Sequence, residues 1–405
     1  MKHDRLAKAH FCAMLVIVCM LPIVSRAQPP VSRAFRMGFT PFPHDMTLEA
    51  VQQMRTFLAA HADIIAIHLE GVPWAEALAD KPFHPKMMQD WKDKAAAIPP
   101  GAKVYLAITP IDGGRKALAT SRGASEGEPL PPDFRGKTFD DPIVRKAYLQ
   151  YCRRAIEYFK PEYLAIGIEV NELYHHSPQS WASYASLHRF IYAEIKKEHP
   201  NLPICASFTV HNMLNPGWRD REQMLAAFKG LMEHNDLVAI SFYPFMGGLS
   251  GQVDKSLAWL AEQFGPYNKP YAVAEMGQLA EKLTLPSLKW TIDGSPAMQA
   301  DFHEKMLAFA ASHKTAFVIS FLYRDYDALW EKIKATAPEA FMVWRDCGLV
   351  DEKGAERPAC KVWANYFHSP YAAPSPQNIM HVNPPLQPQR GERTAFTPMM
   401  HNVPQ

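Results

Sequence analysis

The sequence predicts a (β/α)8 barrel in a single domain, and three observations carry that reading. Short β-rich apolar runs alternate with amphipathic helical stretches through the middle of the chain. Eight such strand–helix units fit into roughly 310 residues, a span within the usual size of these barrels. No Gly-x-Gly-x-x-Gly follows the first strand, which argues against the competing architecture, a doubly wound open sheet.

The expected strands, in order, are Phe35–Phe39, Asp63–Leu69, Lys103–Thr109, Tyr163–Val170, Ile204–Val210, Leu237–Tyr243, Pro270–Glu275 and Ala316–Leu322. Most are continuous apolar runs, as parallel strands buried on both faces require. Thr47 is placed to cap a helix whose Leu48, Val51, Met54 and Leu58 follow helical spacing. Thr138 with Asp141 opens another, carrying Ile143, Tyr148, Cys152 and Ile156. Ser177–Lys197, Arg221–His234, Ser256–Phe264, Met298–His313 and Ala328–Ile333 supply the later helices. A Gly/Pro-rich loop at 110–137 follows the third strand and, in a barrel, emerges on the catalytic rim. It either shapes a substrate cleft or is a floppy insertion.

Three segments therefore divide the chain. Residues 1–27 read as a signal peptide: a basic start, an apolar run from Phe11 to Val24, and small residues Ser25 and Ala27 before Gln28. The apolar run is short for a membrane span, and position 28 is not Cys, so no stable membrane anchor is expected. The protein is expected to be exported, to the periplasm or beyond. Residues 28–368 hold the barrel, and 369–405, rich in Pro, Gln and Asn, read as a disordered tail. Cys12 and Cys19 leave with the signal peptide. Of the other four Cys, Cys205 reads as core, and Cys347 and Cys360 are spaced to close a short disulfide loop.

Composition narrows the function. The chain is 48% hydrophobic and 21% charged, with 9 Trp among 405 residues, as in a folded domain with a large core. Its formal charge of +2 includes +3 from the first 27 residues, so the remainder carries about −1. That leaves no basic field for nucleic acid, and none is expected as a partner. Nothing calls for a second subunit, and a monomer is expected.

Barrel enzymes place catalytic groups at the C-terminal ends of their strands. The fourth run ends Glu169-Val170-Asn171-Glu172 and the seventh ends Ala274-Glu275-Met276-Gly277. A carboxylate in an apolar run costs several kcal/mol unless it is partnered, so these acids need a reason. One reason is retaining glycoside hydrolysis, which uses two carboxyls about 5–5.5 Å apart as acid/base and nucleophile. The other is a pair of rim carboxylates held in salt bridges.

An Asn-Glu pair ending the fourth strand and a Glu ending the seventh resemble glycoside hydrolase clan A. That resemblance implies that Glu172 is the acid/base, that Asn171 bonds the sugar 2-hydroxyl and that Glu275 is the nucleophile. The sixth strand ends Ser241-Phe242-Tyr243-Pro244, similar to the clan's tyrosine position, where the phenol bonds the nucleophile. Within the clan the layout looks most like family 53, the endo-β-1,4-galactanases. Val170 stands where that family has Gly, and Met276-Gly277 replaces its polar-aromatic context, so mannan or glucan substrates stay open. The substrate implied is a β-linked polysaccharide or oligosaccharide, and the mechanism needs no cofactor.

Trp74, Trp218 and Trp330 lie beyond strand ends and are candidate platforms for pyranose faces, the alternative being ordinary core or rim packing. His68 and His211, also at strand ends, are candidates to hold hydroxyls. Glu169 lies three residues before Glu172, so alternation points it to the other side of the strand, as a structural partner for a buried Arg. His175-His176, and Asp325 with Asp327, lack the spacing of a strong metal site, and no metal is expected. The alternative to a hydrolase is a non-catalytic carbohydrate-binding barrel.

Overall fold

The computed structural model describes residues 32–217 and 219–373. Nine parallel ladder segments make one sheet: β1 (Arg36–Phe39), β2 (Ile64–Leu69), β3 (Lys103–Ile108), β4 (Tyr163–Ala165), β5 (Ile204–Cys205), β6 (Ser207–Thr209), β7 (Val238–Phe242), β8 (Tyr271–Met276) and, after a two-stranded hairpin of β9 (Leu283–Leu285) and β10 (Trp290–Ile292), β11 (Thr315–Ser320). Neighbours run β5-β4-β3-β2-β1-β11-β8-β7-β6. β5 pairs with β4 and β6 with β7, so the two are halves of one strand split at Ala206. At the split, the buried Asn235 accepts the Ala206 N–H through Oδ1 at 2.8 Å, replacing the lost ladder bond. The result is the expected eight-position barrel, closed except at that break.

Small residues line its inside. Ala66, Ala107, Ala165, Ala239, Ala272 and Ala274 face inward, and Tyr105 and Phe317 fill the space they leave, with ring centroids 4.6 Å apart. The intervening strand residues turn outward to the helices, as the period of two demands. Helices form where the sequence placed caps: Thr47 accepts from Ala50 N at 3.1 Å ahead of Leu48–His61, and Asp141 from Ile143 N at 3.1 Å ahead of Pro142–Phe159.

Four expectations change. The fourth strand leaves the ladder at Ala165 rather than Val170. Asp327–Ile333 is a helix, but it buries no residue and sits on the rim. The eighth outer helix is Pro358–Phe367, whose Trp363 is fully buried and donates to His61 O at 2.9 Å. Cys347 and Cys360 are free and lie in different apolar clusters, so they form no disulfide.

Residues 369–373, assigned above to the tail, are tied to the start of the barrel. Arg33 N donates to Pro370 O at 3.0 Å, and Arg36 lies over the Tyr371 ring. The remainder of the expected tail and the segment 1–27, read above as a signal peptide, lie outside the described residues. No helix among the described residues is long and apolar enough to cross a membrane.

Candidate active site

Glu275 owes its orientation to a β-bulge. Ile240 of β7 pairs with Val273 but Ser241 pairs with Glu275, which leaves Ala274 as an extra residue. β11 shows the matching shift, from Val318 opposite Val273 to Ser320 opposite Met276. Ala272 and Ala274 already face inward, so regular alternation would turn Glu275 out toward the helices. The bulge re-aims it into the barrel mouth. There the Tyr243 hydroxyl donates to Glu275 Oε2 at 2.7 Å, and His68 Nδ1 stands 3.5 Å from Oε1. Burial holds His68 neutral, with a pKa of about 4. The Tyr243 ring is wedged by Trp344, edge-on at 4.7 Å, and by Gly277, where a Cβ would come within 3.0 Å of Tyr243 Cε1.

The second carboxylate of the mouth is Glu169. Tyr163 and Ala165 turn inward and Leu164 and Ile166 outward. Beyond them Glu169 adopts a left-handed φ of 50°, an uncommon conformation for a residue with a side chain. Two bonds secure it to β6: Glu169 N donates to Ser207 Oγ at 2.9 Å and Val170 N to Ser207 O at 2.9 Å. The side chain lines the same cavity as Glu275. Arg115, from the loop after β3, reaches it with Nη2 2.8 Å from Oε2. Burial pushes Glu169 above the usual carboxylate range against the pull of Arg115, with the charges of Glu275 and Glu172 adding to the rise. Burial also raises Glu275, opposed first by the Tyr243 hydrogen bond.

The expectation that Glu169 partners an Arg matches its contact with Arg115. The expectation that it turns away from the site does not match its position. The ladder ends at Ala165, so strand alternation does not reach these residues: Ile168 and Glu169, of opposite parity, both line the cavity, and Glu172 lies in a helix.

Glu172 sits apart from that cavity, in the first turn of Asn171–His176. Its carboxylate accepts from Thr209 Oγ1, from Asn212 Nδ2 at 2.9 Å and from Asn171 Nδ2 at 3.3 Å, and His176 Nε2 stands 4.0 Å away. Asn171 is fully buried and pairs with Thr209 in both directions, accepting from its N–H at 2.8 Å and donating to its Oγ1 at 2.9 Å. These bonds pin the end of β4 to β6 and leave Asn171 turned away from the cavity.

That cavity encloses about 720 Å3. Its floor carries His68, Thr109, Glu169 and Glu275, with Phe42 and Glu70 at the end beside β1 and β2. One wall is the loop after β3, from Ile111 to Gly127, which is cross-braced by bridges of Ile111 to Leu118 and Ser121 to both Val72 and Glu128. The facing wall is the segment after β11, with Tyr326, Trp330, Ile333, Phe341 and Trp344.

Trp330 is thus on the cavity, half-buried. Trp74 is in the core rather than on the rim: it is fully buried against Phe134 and Tyr148, and its Nε1 donates to Ala119 O at 2.8 Å. His211 is buried in Val210–Leu214 and does not line the cavity. Trp218 lies outside the described residues. Asp325 and Asp327 come together with Asp346, and two guanidiniums hold the group. Arg357 Nη2 is 2.6 Å from Asp325, and Arg345 makes two 2.8 Å bonds to Asp346. That cluster reads as structural. His175 is buried beside the exposed His176, outside the cavity.

The fold at this point matches that of known hydrolases. A GH5_18 protein from Streptomyces cattleya, solved in complex with GlcNAc, superposes with a TM-score of 0.58 at 14% identity, over 85% of this chain and 83% of that one. Fungal β-1,4-galactanases match with a TM-score of 0.50 at 14% identity, over 81% and 93%. The GH53 catalytic domain of Ignisphaera aggregans matches with a TM-score of 0.51 at 16% identity, over 85% and 97%. The chain shares the (β/α)8 barrel fold of these proteins. No protein-family model and no curated protein sequence matches it.

Sequence reading missed Arg115 and Trp344 and set Glu169 aside. The signal for Glu169 was present: the argument that a carboxylate in an apolar run needs a reason applies to it as strongly as to Glu172. Trp344 had no such signal, because nothing local shows that the short 3-10 helix Glu339–Trp344 folds back over Tyr243.

Proposed function

We propose that this chain is an exported, monomeric, retaining β-glycoside hydrolase in which Glu275 is the nucleophile and Glu169 the acid/base. The observation that carries the proposal is that two buried carboxylates line one cavity, one bonded by a phenol and the other paired with an arginine. Solved proteins of the same fold include β-1,4-galactanases, which favours a β-linked glycan as substrate. Glu172, with its oxygens occupied by three donors, has a scaffolding role.

The chemistry follows from the placement. Near neutral pH the two raised carboxylates share one proton, carried on Glu169, while Tyr243 stabilises the anion of Glu275. Glu275 attacks the anomeric carbon through Oε1, the oxygen that the phenol leaves free. As the glycosidic C–O bond breaks, Glu169 gives its proton to the leaving oxygen, and Arg115 stabilises the carboxylate that results. A water then gives its proton to Glu169 and attacks the anomeric carbon, which frees Glu275 and restores both groups.

The test uses aryl β-glycosides of several neutral sugars. Turnover with retained anomeric configuration, abolished by Glu275→Gln, is expected. Glu169→Ala should cleave substrates with good leaving groups and be rescued by azide as the β-glycosyl azide. Azide rescue of Glu172→Ala instead would return the acid/base role to Glu172. Absence of turnover across aryl glycosides and oligosaccharides, with glycan binding retained, would establish the carbohydrate-binding alternative.

A further inference from the structure

We infer that the site is a blind pocket for the non-reducing end of a neutral β-linked glycan, rather than a cleft through which a polymer passes. This inference rests on the hydrolase reading above. A chain cleaved internally needs room on both sides of the carboxylate pair. Here the enclosed space lies on one side only. Its described lining comes from the segments after β1, β2, β3, β4 and β11, with Glu275 of β8 at its edge. No described residue of the segments after β6 and β7 contributes. On that side His211, Tyr243 and Phe245 are buried, and Thr209 and Asn212 are engaged with Glu172.

Beside Glu275 the space is bounded by Phe42, which lies edge-on to His68 and Phe321 at 6.3 and 6.0 Å, His68 Nδ1 itself standing 3.5 Å from Glu275 Oε1. The braced loop after β3 forms one wall and the half-buried Trp330 and Trp344 the other. The ring attacked by Glu275 therefore sits in a pocket bounded by these walls, and the leaving portion of the glycan departs toward solvent.

The lining also selects for charge. It holds two guanidiniums, and both are already paired, Arg115 with Glu169 and Arg345 with Asp346. Glu70 is exposed to the cavity and has no ion-pair or hydrogen-bond partner among the described residues. Glu126 stands on the rim, 61% exposed and 3.6 Å from Arg122. A uronate in this pocket would meet the unpaired carboxylate of Glu70 and no free cation among the described lining residues, a juxtaposition that disfavours its binding.

The experiment follows cleavage of β-1,4-linked galacto-, manno- and gluco-hexaoses labelled at the reducing end, together with the matching polymers and paired aryl hexosides and hexuronides. The expected result is stepwise shortening of the labelled chain from its unlabelled end, with polymer viscosity falling slowly relative to reducing-sugar release. Activity on neutral aryl hexosides should exceed that on hexuronides by on the order of 100-fold or more. An internal ladder of labelled products with rapid loss of viscosity would overturn the pocket while leaving the hydrolase reading intact. Comparable turnover of hexuronides would overturn the charge selection. Silence on every aryl glycoside and oligosaccharide would remove the hydrolase reading, and the pocket inference with it.

Discussion

The Tyr243 hydroxyl lies 2.7 Å from Glu275 Oε2, inside a site where both side chains are almost wholly buried. A hydrogen bond to a buried carboxylate is worth about 1.5–3 kcal/mol, because no water replaces the donor when it is lost. The bond favours the charged form of Glu275 and opposes the upward push of burial. Tyr243→Phe should therefore lower kcat/KM by about 10- to 100-fold. It should also move the acidic limb of the pH–rate profile to higher pH, since Glu275 must ionise to attack. A profile that falls in height without moving would mean that Tyr243 acts on the substrate alone.

Arg115 has the matching relationship to Glu169, at 2.8 Å. It pulls Glu169 down against burial, so Arg115→Met should raise the pKa of that carboxyl further. Glu169 must hold a proton at the start of the reaction, and the alkaline limb should therefore shift to higher pH. Arg115→Lys should shift it less, because the cation is kept and only the planar fork is lost. No bond links Arg115 to Glu172 among the described contacts. An alkaline limb indifferent to Arg115→Met would therefore favour Glu172 as the acid.

Periodicity made the barrel legible. Eight apolar runs alternating with helical stretches were enough, since burial on both faces leaves a mark at every position of a parallel strand. Glu275 was legible for the same reason: it interrupts such a run. The bulge that aims it was not, because an extra residue at Ala274 appears only in the register with β7 and β11. Glu169 was misplaced because strand alternation was carried past the end of the ladder: the strand stops at Ala165, Glu169 takes a left-handed φ and Glu172 lies in a helix, so their sides are set by the turn between them. The eighth outer helix was missed because the rim helix Asp327–Ile333 comes first in sequence and has helical composition of its own.

Trp74 and Trp330 should behave oppositely. Trp74 is sealed between Phe134 and Tyr148, so Trp74→Ala should cost about 3–5 kcal/mol of stability, visible as a lower denaturant midpoint. Its effect on the KM of whatever protein remains folded should be small. Trp330 stands half-buried on the cavity wall, in a helix that buries no residue. Trp330→Ala should leave the midpoint nearly unchanged and raise KM about tenfold, the loss of roughly 1.4 kcal/mol of stacking on a sugar ring. Equal KM values for wild type and Trp330→Ala would remove Trp330 from the site.

Function at this site has a stability cost, and its sign can be worked out. Burial raises the pKa of Glu275 in the folded chain above its value in the unfolded chain. Between those two values the folded state binds more protons than the unfolded state, so this group's contribution to stability falls as pH rises. Glu275→Gln removes the titration while keeping the side chain's volume and its acceptor for Tyr243. At roughly pH 4 and below, the carboxyl is largely neutral in both states and the variant should gain little. Toward neutral pH the wild type must either hold a proton that the solvent disfavours or bury a charge, and the variant does neither. The gain in Tm should therefore grow with pH, to on the order of a few degrees for a domain of this size. Calorimetry of the two proteins from acid to neutral pH measures it directly. A constant difference across the range would mean that burial does not raise Glu275, and the argument that the two carboxylates share one proton would fall with it.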